Sequence, residues 1–436
     1  MRGRSAIQTA LFLLAASLLL PVFISSNSQA SLRWIIVGSM ALYSILYAWL
    51  LVALKDERNI DDRTQLLIAI GIRLPLFMIP VVLDGALYRA LWDGWIIQAN
   101  GINPFLYIPD DPGFAEFQNR PLYDYLTDSG SYATSSPLLQ VIFRFLGMPF
   151  SWLSMGQMAL VFKGLSIAID IGVVYMLIRI APLFALRPLH VLAYALNPIS
   201  LFLINSQGLL DGILILIALA AVYIWRKQRF DLFSMLMGAI ILVFPASSLT
   251  LPVFFKKIGL KGVLMSLATV AVWWLPFFDT AAISHVTEQL YFYWTNPAPA
   301  FPLGSLIISL SPWKWLTLAW SVILFASLLW ISKREITSES PSVPVFLLVF
   351  STAWLVGSPI LNTALLALIV LMAAISETHL IKVAILSSVA GLLVILDPPA
   401  LSPIVFLVAS LGFWMIAGLI LFFGIKKGGA AKSSPA

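Results

Sequence analysis

Apolar runs recur along nearly the whole chain, broken only by short polar stretches, and their length suits the ~20 residues at 1.5 Å rise that cross a bilayer as a helix. The pattern predicts an all-α, polytopic membrane protein. Crossings are expected near 7–24, 33–54, 65–83, 152–178, 187–205, 212–225, 262–278, 304–332, 342–357, 361–376, 381–396 and 403–424, about twelve in all. A single integral membrane domain spans 1–436, and nothing in it reads as a separate soluble unit.

Lys and Arg concentrate in the short breaks, which by the positive-inside rule are cytoplasmic. KDERNIDDR (55–63), Arg179 with Arg187, WRKQR (225–229) and the C-terminal IKKGGAAK are then inside, as is the N-terminus behind Arg2 and Arg4. The largest polar region, 84–150, falls outside as an extracytoplasmic loop with interfacial helices. Residues 231–255 resist the scheme, because a full crossing would leave Lys256, Lys257 and Lys261 on the outer side. A break at Pro245 resolves it: two half-helices dip in and return, which is tolerated where protein covers the broken backbone.

Composition sharpens this picture. Of 436 residues, 60% are hydrophobic and 11% charged, against roughly a quarter charged in soluble domains. Cysteine is absent, which excludes disulfides, thiolate nucleophiles and Cys-based metal sites. Only three histidines occur, too few for a His-rich metal centre. The net charge of +6 reads as a topology signal and not as a nucleic-acid surface. The first apolar segment is expected to be a retained signal anchor, since no small-x-small cleavage site ends it.

Chemistry-bearing residues gather where the third apolar run ends. After Asp84, GALYRALWDGWIIQA has helical periodicity, with Leu87, Leu91 and Trp95 on one side and Arg89 four residues before Asp93 on another. Tyr88 and the tryptophans suit the headgroup level of a helix lying along the interface, and Gly101 with Asn103-Pro104 ends it. Asp84 is either the helix N-cap or a general base; Arg89 and Asp93 are either an (i, i+4) pair or a phosphate-binding arginine beside a second carboxylate.

The run from Arg73 to Tyr107 resembles bacterial membrane glycosyltransferases of the GT-C class, which move a sugar, often mannose, from a polyprenyl-phosphate carrier to an extracytoplasmic acceptor. Tyr88, Arg89, Trp92, Asp93, Gly94, Gly101, Asn103 and Pro104 fit that family's Tyr-Arg-x-x-Trp-Asp-Gly and Gly-x-Asn-Pro stretches, with Phe105 in place of a tyrosine. PDDP at 109–112, VFKGLSIAIDIGVVYML and ALNPISLFLINSQGLLDGILIL continue the likeness. The chain also departs from the pattern: the family's acidic pair falls on Gly85 and Ala86, leaving Asp84 as the nearby carboxylate, and Val243-Phe244 stand where a lysine often precedes the broken-helix proline.

The resemblance implies an inverting transfer in which Asp84, or next Asp93, deprotonates the acceptor hydroxyl. Arg89, with Lys163 or Arg144, would bind the donor phosphate. Tyr88, Trp92, Asn103, Gln207, Asp211, Tyr291, Tyr293 and Trp294 would line the pocket. The implied partners are a polyprenyl-phosphate-linked sugar, a lipid or glycan acceptor, and membrane lipids. A divalent cation stays open as a cofactor, although two isolated acids make a poor hard-cation site. No nucleic acid is implied.

Arg73, Lys163 and Asp170 lie inside apolar segments, where an unpaired charge costs several kcal/mol. Lys163 and Asp170 share a helix face about 10 Å apart and are not expected to touch, whereas a salt bridge from Asp170 to Arg73 is. A non-catalytic GT-C-like subunit and a transporter that uses these intramembrane charges are the alternatives.

Overall fold

The computed structural model describes residues 2–23, 29–55, 57, 60–81, 85–126, 129–133, 135–147, 153–184, 186–210, 212–243, 247–248, 251–295 and 380. The expected crossings between 304 and 424, the break at Pro245, Asp84 and Asp211 fall outside these. Helices are α1 (Arg2–Phe23), α2 (Gln29–Leu54), α3 (Asp62–Arg73), α4 (Ala86–Asn100), the single turn α5 (Ala115–Gln118), α6 (Pro137–Gly147), α7 (Met155–Ile180), α8 (Pro188–Ala195), α9 (Gly212–Arg226), α10 (Phe230–Val243), α11 (Leu251–Trp274) and α12 (Thr280–Thr295). There is no strand among the described residues. Four of the described helical stretches are long and apolar enough to cross a membrane: Trp34–Leu54, Met155–Leu183, Pro188–Asn205 and Phe254–Phe277. Large apolar side chains such as Phe12, Trp34, Ile45 and Val272 face outward, and only 17% of the last window is buried against the rest of the protein. Faces of that kind are stable against lipid, not water.

Local signals set the helix ends. Asp61 caps α3 by accepting from the Thr64 amide and hydroxyl. Those bonds hold its carboxyl below the usual carboxylate range. A capping box between Ser154 and Gln157 starts α7. Gly101, in the left-handed conformation that glycine adopts without Cβ strain, ends α4 by donating its N–H to the Ile97 carbonyl.

Two segments expected to be continuous crossings are broken. The third tightens at Pro75 from α3 into a 3-10 turn over Leu74–Met78. The fifth passes from α8 through Asn197-Pro198 into a π-helical stretch, Ile199–Asn205. Backbone carbonyls freed inside a bilayer need partners, and side chains supply them. Tyr47 donates to the Ala193 carbonyl at 2.6 Å, Arg73 to Ala195 at 2.9 Å and Tyr43 to Leu196 at 3.0 Å, while Lys163 caps the carbonyl of Ile79 at the other break.

The segment after α9 turns back on itself. Lys261 pairs with Asp231, the Ser266 hydroxyl donates to the Ser234 carbonyl at 2.7 Å, and Gly238 abuts Ser266 and Thr269. Rising numbers meet rising numbers, so the part of α11 beyond Gly259 runs parallel to α10. The chain therefore comes back over the ~20 Å that α10 advances before it reaches Gly259. Gly259 (φ 61°, ψ −171°) makes the final reversal in a conformation open to glycine alone. Lys256, Lys257 and Lys261 consequently return to the end of the bundle that holds Arg226–Arg229.

The core has two parts. One lies among α1–α3 and α7–α11. The other joins α4, the loop 101–133, α6 and the start of α7. In the second, α4 and α6 cross backbone to backbone: a Cβ on Gly94 would lie 2.1 Å from the Phe143 carbonyl oxygen, and one on Gly147 2.5 Å from Gly94.

Candidate functional site

The α4–α6 crossing buries Asp93 and thereby fixes Arg89. One carboxylate oxygen of Asp93 accepts from Arg89 Nε at 2.8 Å and the other from Gln140 Nε2 at 2.9 Å. Arg89 Nη1 also donates to the Ser131 carbonyl at 2.9 Å, so the guanidinium bridges the helix and the loop folded over it. Sequence spacing indicated the Arg89–Asp93 pair. Gln140 and Ser131 were not foreseeable, because the α4–α6 crossing brings in the first and the fold of the 101–133 loop the second. Gln140 is fully buried, and its Oε1 has no hydrogen-bond partner.

Arg89, Trp92 and Asp93 form one wall of a narrow cleft lined on the other side by Ile102, Pro104, Tyr107 and neighbouring residues. The enclosed space is about 10 Å³, room for roughly one water and far below the roughly 300–1,000 Å³ of pockets that enclose a whole drug-sized ligand. Aromatic contacts hold the loop in place: Tyr123 lies 5.8 Å from Trp92, Arg120 stacks 4.5 Å over Trp95, and Tyr88 sits 5.0 Å from Tyr125. Burial raises the Tyr88 hydroxyl above its ordinary range, with Tyr125 adding to the effect. The hydrogen bond to Asp110 raises that of Tyr123.

The remaining candidates divide by position. Asn103 is held as a turn residue, its amide donating to the Phe277 carbonyl at 3.0 Å while its oxygen accepts from the Phe105 amide at 3.1 Å. Arg144 is exposed on α6 and reaches Gln98 near the end of α4 at 3.4 Å, apart from the cleft residues. Lys163 is buried beneath the start of α4, with Gly208 packed between it and Leu87, and its ammonium serves the carbonyls of Ile79 and Leu76. Gln207 is fully buried and donates to the Ser206 hydroxyl at 2.7 Å. Gly85, not Asp84, occupies the cap position of α4 and makes no side-chain cap bond. Leu210, beside Asp211, packs in the same core as Leu87 and Trp92. Tyr291, Tyr293 and Trp294 belong to α12, and their side chains fall outside the described residues.

Deeper in the bundle, Arg73 and Asp170 form the expected salt bridge. Asp170 also accepts from Ser200 at 2.7 Å, Asn205 at 2.6 Å and the Tyr194 hydroxyl, so both its oxygens are bonded. Ser166, one turn away on α7, donates to the Leu209 carbonyl at 2.6 Å. The network ties the π-helical stretch to α3 and α7. Among the described residues no three His, Asp or Glu come together as a metal site.

Set against protein-family models, curated proteins and solved structures, the chain matches none of them.

Proposed function

We propose that the chain is an integral-membrane glycosyltransferase of about twelve crossings, GT-C-like in architecture, whose site opens on the extracytoplasmic side with both termini cytoplasmic. The donor is a polyprenyl-phosphate-linked sugar, for which the sequence resemblance suggests mannose, and the acceptor is a lipid or glycan hydroxyl. The observation that carries this reading is the placement of Arg89, fixed by Asp93 and Ser131, in the wall of an aromatic cleft beside the apolar bundle. A guanidinium held in one orientation is suited to the fork geometry of a phosphate. Arg89 takes the phosphate at the mouth of the cleft while the isoprenoid chain lies along the outward apolar faces.

In this mechanism Asp84, just ahead of the α4 cap, takes the proton of the acceptor hydroxyl as its oxygen attacks the anomeric carbon. The lipid phosphate leaves with its charge neutralised by Arg89. Asp93 positions Arg89, because both of its oxygens already accept hydrogen bonds within the protein.

One observation favours a second reading, a non-catalytic subunit that only binds the lipid phosphate. Lys163, a cation expected at the donor phosphate, is directed to backbone carbonyls. Mass spectrometry of lipid copurified in mild detergent, followed by a transfer assay with polyprenyl-phosphate mannose, separates the readings. Glycosyl transfer predicts bound polyprenyl phosphate and turnover lost in both Asp84→Asn and Asp84→Ala with folding intact. Bound lipid without turnover supports the subunit; absence of any such lipid rejects both.

A further inference from the structure

The return of the chain after α10 assembles a surface that linear order hides. Arg226 ends α9 and Lys227 and Arg229 follow it, and Lys256, Lys257 and Lys261 lie some thirty positions on, yet Phe254 packs 4.9 Å from Trp225 and Lys261 bonds to Asp231. All six cations are exposed. The single carboxylate among residues 226–261 is Asp231. Its pair with Lys261 leaves the two side chains 65% and 73% exposed, a geometry in which an ion pair adds little and exchanges readily.

Apolar side chains border the cations. Phe255 is 50% exposed and Leu260 65%, while Lys227 lies 5.6 Å over the Tyr223 ring. Charge next to exposed hydrocarbon, at the end of helices with lipid-facing sides, matches a phospholipid: a phosphate for the ammonium groups and acyl carbons for Phe255 and Leu260.

We propose that this end of the bundle is a binding site for the headgroup of an anionic phospholipid in the adjoining leaflet. Charge complementarity selects the occupant, since each Lys or Arg near an anionic membrane surface adds attraction and a zwitterionic headgroup offers no net charge to meet it. The site exists only when the chain returns to the α9 end, so lipid held there also braces the reversal at Gly259. It is independent of the donor-phosphate cleft, and the glycosyl-transfer reading does not bear on it.

Native mass spectrometry of the full-length protein, titrated with dioleoyl phosphatidylglycerol or dioleoyl phosphatidylcholine, tests the site. The expected result is selective retention of phosphatidylglycerol, weakened roughly 10- to 30-fold in Lys256→Gln/Lys257→Gln at about one tenfold step or less per lysine. Equal retention of the two lipids overturns the proposal, as does selectivity unchanged in a double variant that still melts like the wild type. If that variant fails to fold, Lys227→Gln alone serves, with a loss of about fivefold expected. Displacement of the lipid by an equal concentration of inorganic phosphate would reject a phospholipid as the occupant.

Discussion

Arg73 and Asp170, 97 positions apart, meet inside the bundle with Nη2 2.5 Å and Nε 2.8 Å from one carboxylate oxygen. Arg73 is wholly buried and Asp170 2% exposed, so each charge is tolerated only because the other is there. Arg73→Met should destabilise the protein by about 3–5 kcal/mol, because it strands a buried carboxylate and frees the Ala195 carbonyl. The double variant Arg73→Met/Asp170→Asn should recover part of the loss. Thermal unfolding in detergent, read as a double-mutant cycle, checks the coupling; independent, additive effects would contradict it.

Arg89 holds its fork by bonding Asp93 and Ser131 together, which a lysine cannot reproduce. Arg89→Lys is expected to keep the fold and to lower kcat/KM for sugar transfer by roughly 100-fold, with a matching loss of copurified polyprenyl phosphate. Wild-type kinetics in the lysine variant would remove Arg89 from phosphate recognition.

Gln140 is the donor to the inner oxygen of Asp93. Gln140→Leu should cost about 1–3 kcal/mol through the stranded acceptor, eased by removal of the unpartnered Oε1. Gln140→Glu should cost more, since it sets a second carboxylate against Asp93. The melting order wild type, leucine, glutamate is the expected outcome, and a glutamate variant as stable as wild type contradicts the pairing.

Gly94 and Gly147 let α4 and α6 touch through their backbones. Gly94→Ala should force the helices apart and cost about 1–3 kcal/mol or more, because the obstacle is a backbone carbonyl that no rotamer change can move. Loss of protease resistance in the 101–133 loop measures the separation. Gly38→Ala, on α2 with nothing within 4 Å of the new carbon, is the control and should melt at or slightly above wild type, since alanine is the better helix former.

Asp61 links the start of α3 to pH. Its folded-state carboxyl is lowered by the Thr64 hydrogen bonds. The cap's contribution is therefore full above the unfolded value near ~4 and is lost as pH falls through the lower folded value. Hydrogen-exchange protection of 62–66, corrected for intrinsic rates, should fall between about pH 5 and pH 2 in the wild type and stay flat in Asp61→Asn. A pH-dependent loss in the asparagine variant would assign the effect elsewhere.

The sequence alone pointed to a helical, membrane-embedded chain, offered the Arg89–Asp93 pair one turn apart as one of two readings, and led to the expectation that Arg73 bridges Asp170. These follow from local spacing, from hydropathy and from the cost of an unpaired charge in hydrocarbon, which leaves few partners to choose among. Tertiary structure alone decided that Gln140 and Ser131 complete the Arg89 cluster, that Lys163 serves carbonyls instead of the cleft, and that a π-helical stretch over Ile199–Asn205 follows α8. The same holds for the gathering of six cations at the α9 end. Each depends on which helices cross and which broken carbonyls they leave open. Those are contacts between residues far apart in the chain, and one-dimensional spacing carries no information about them.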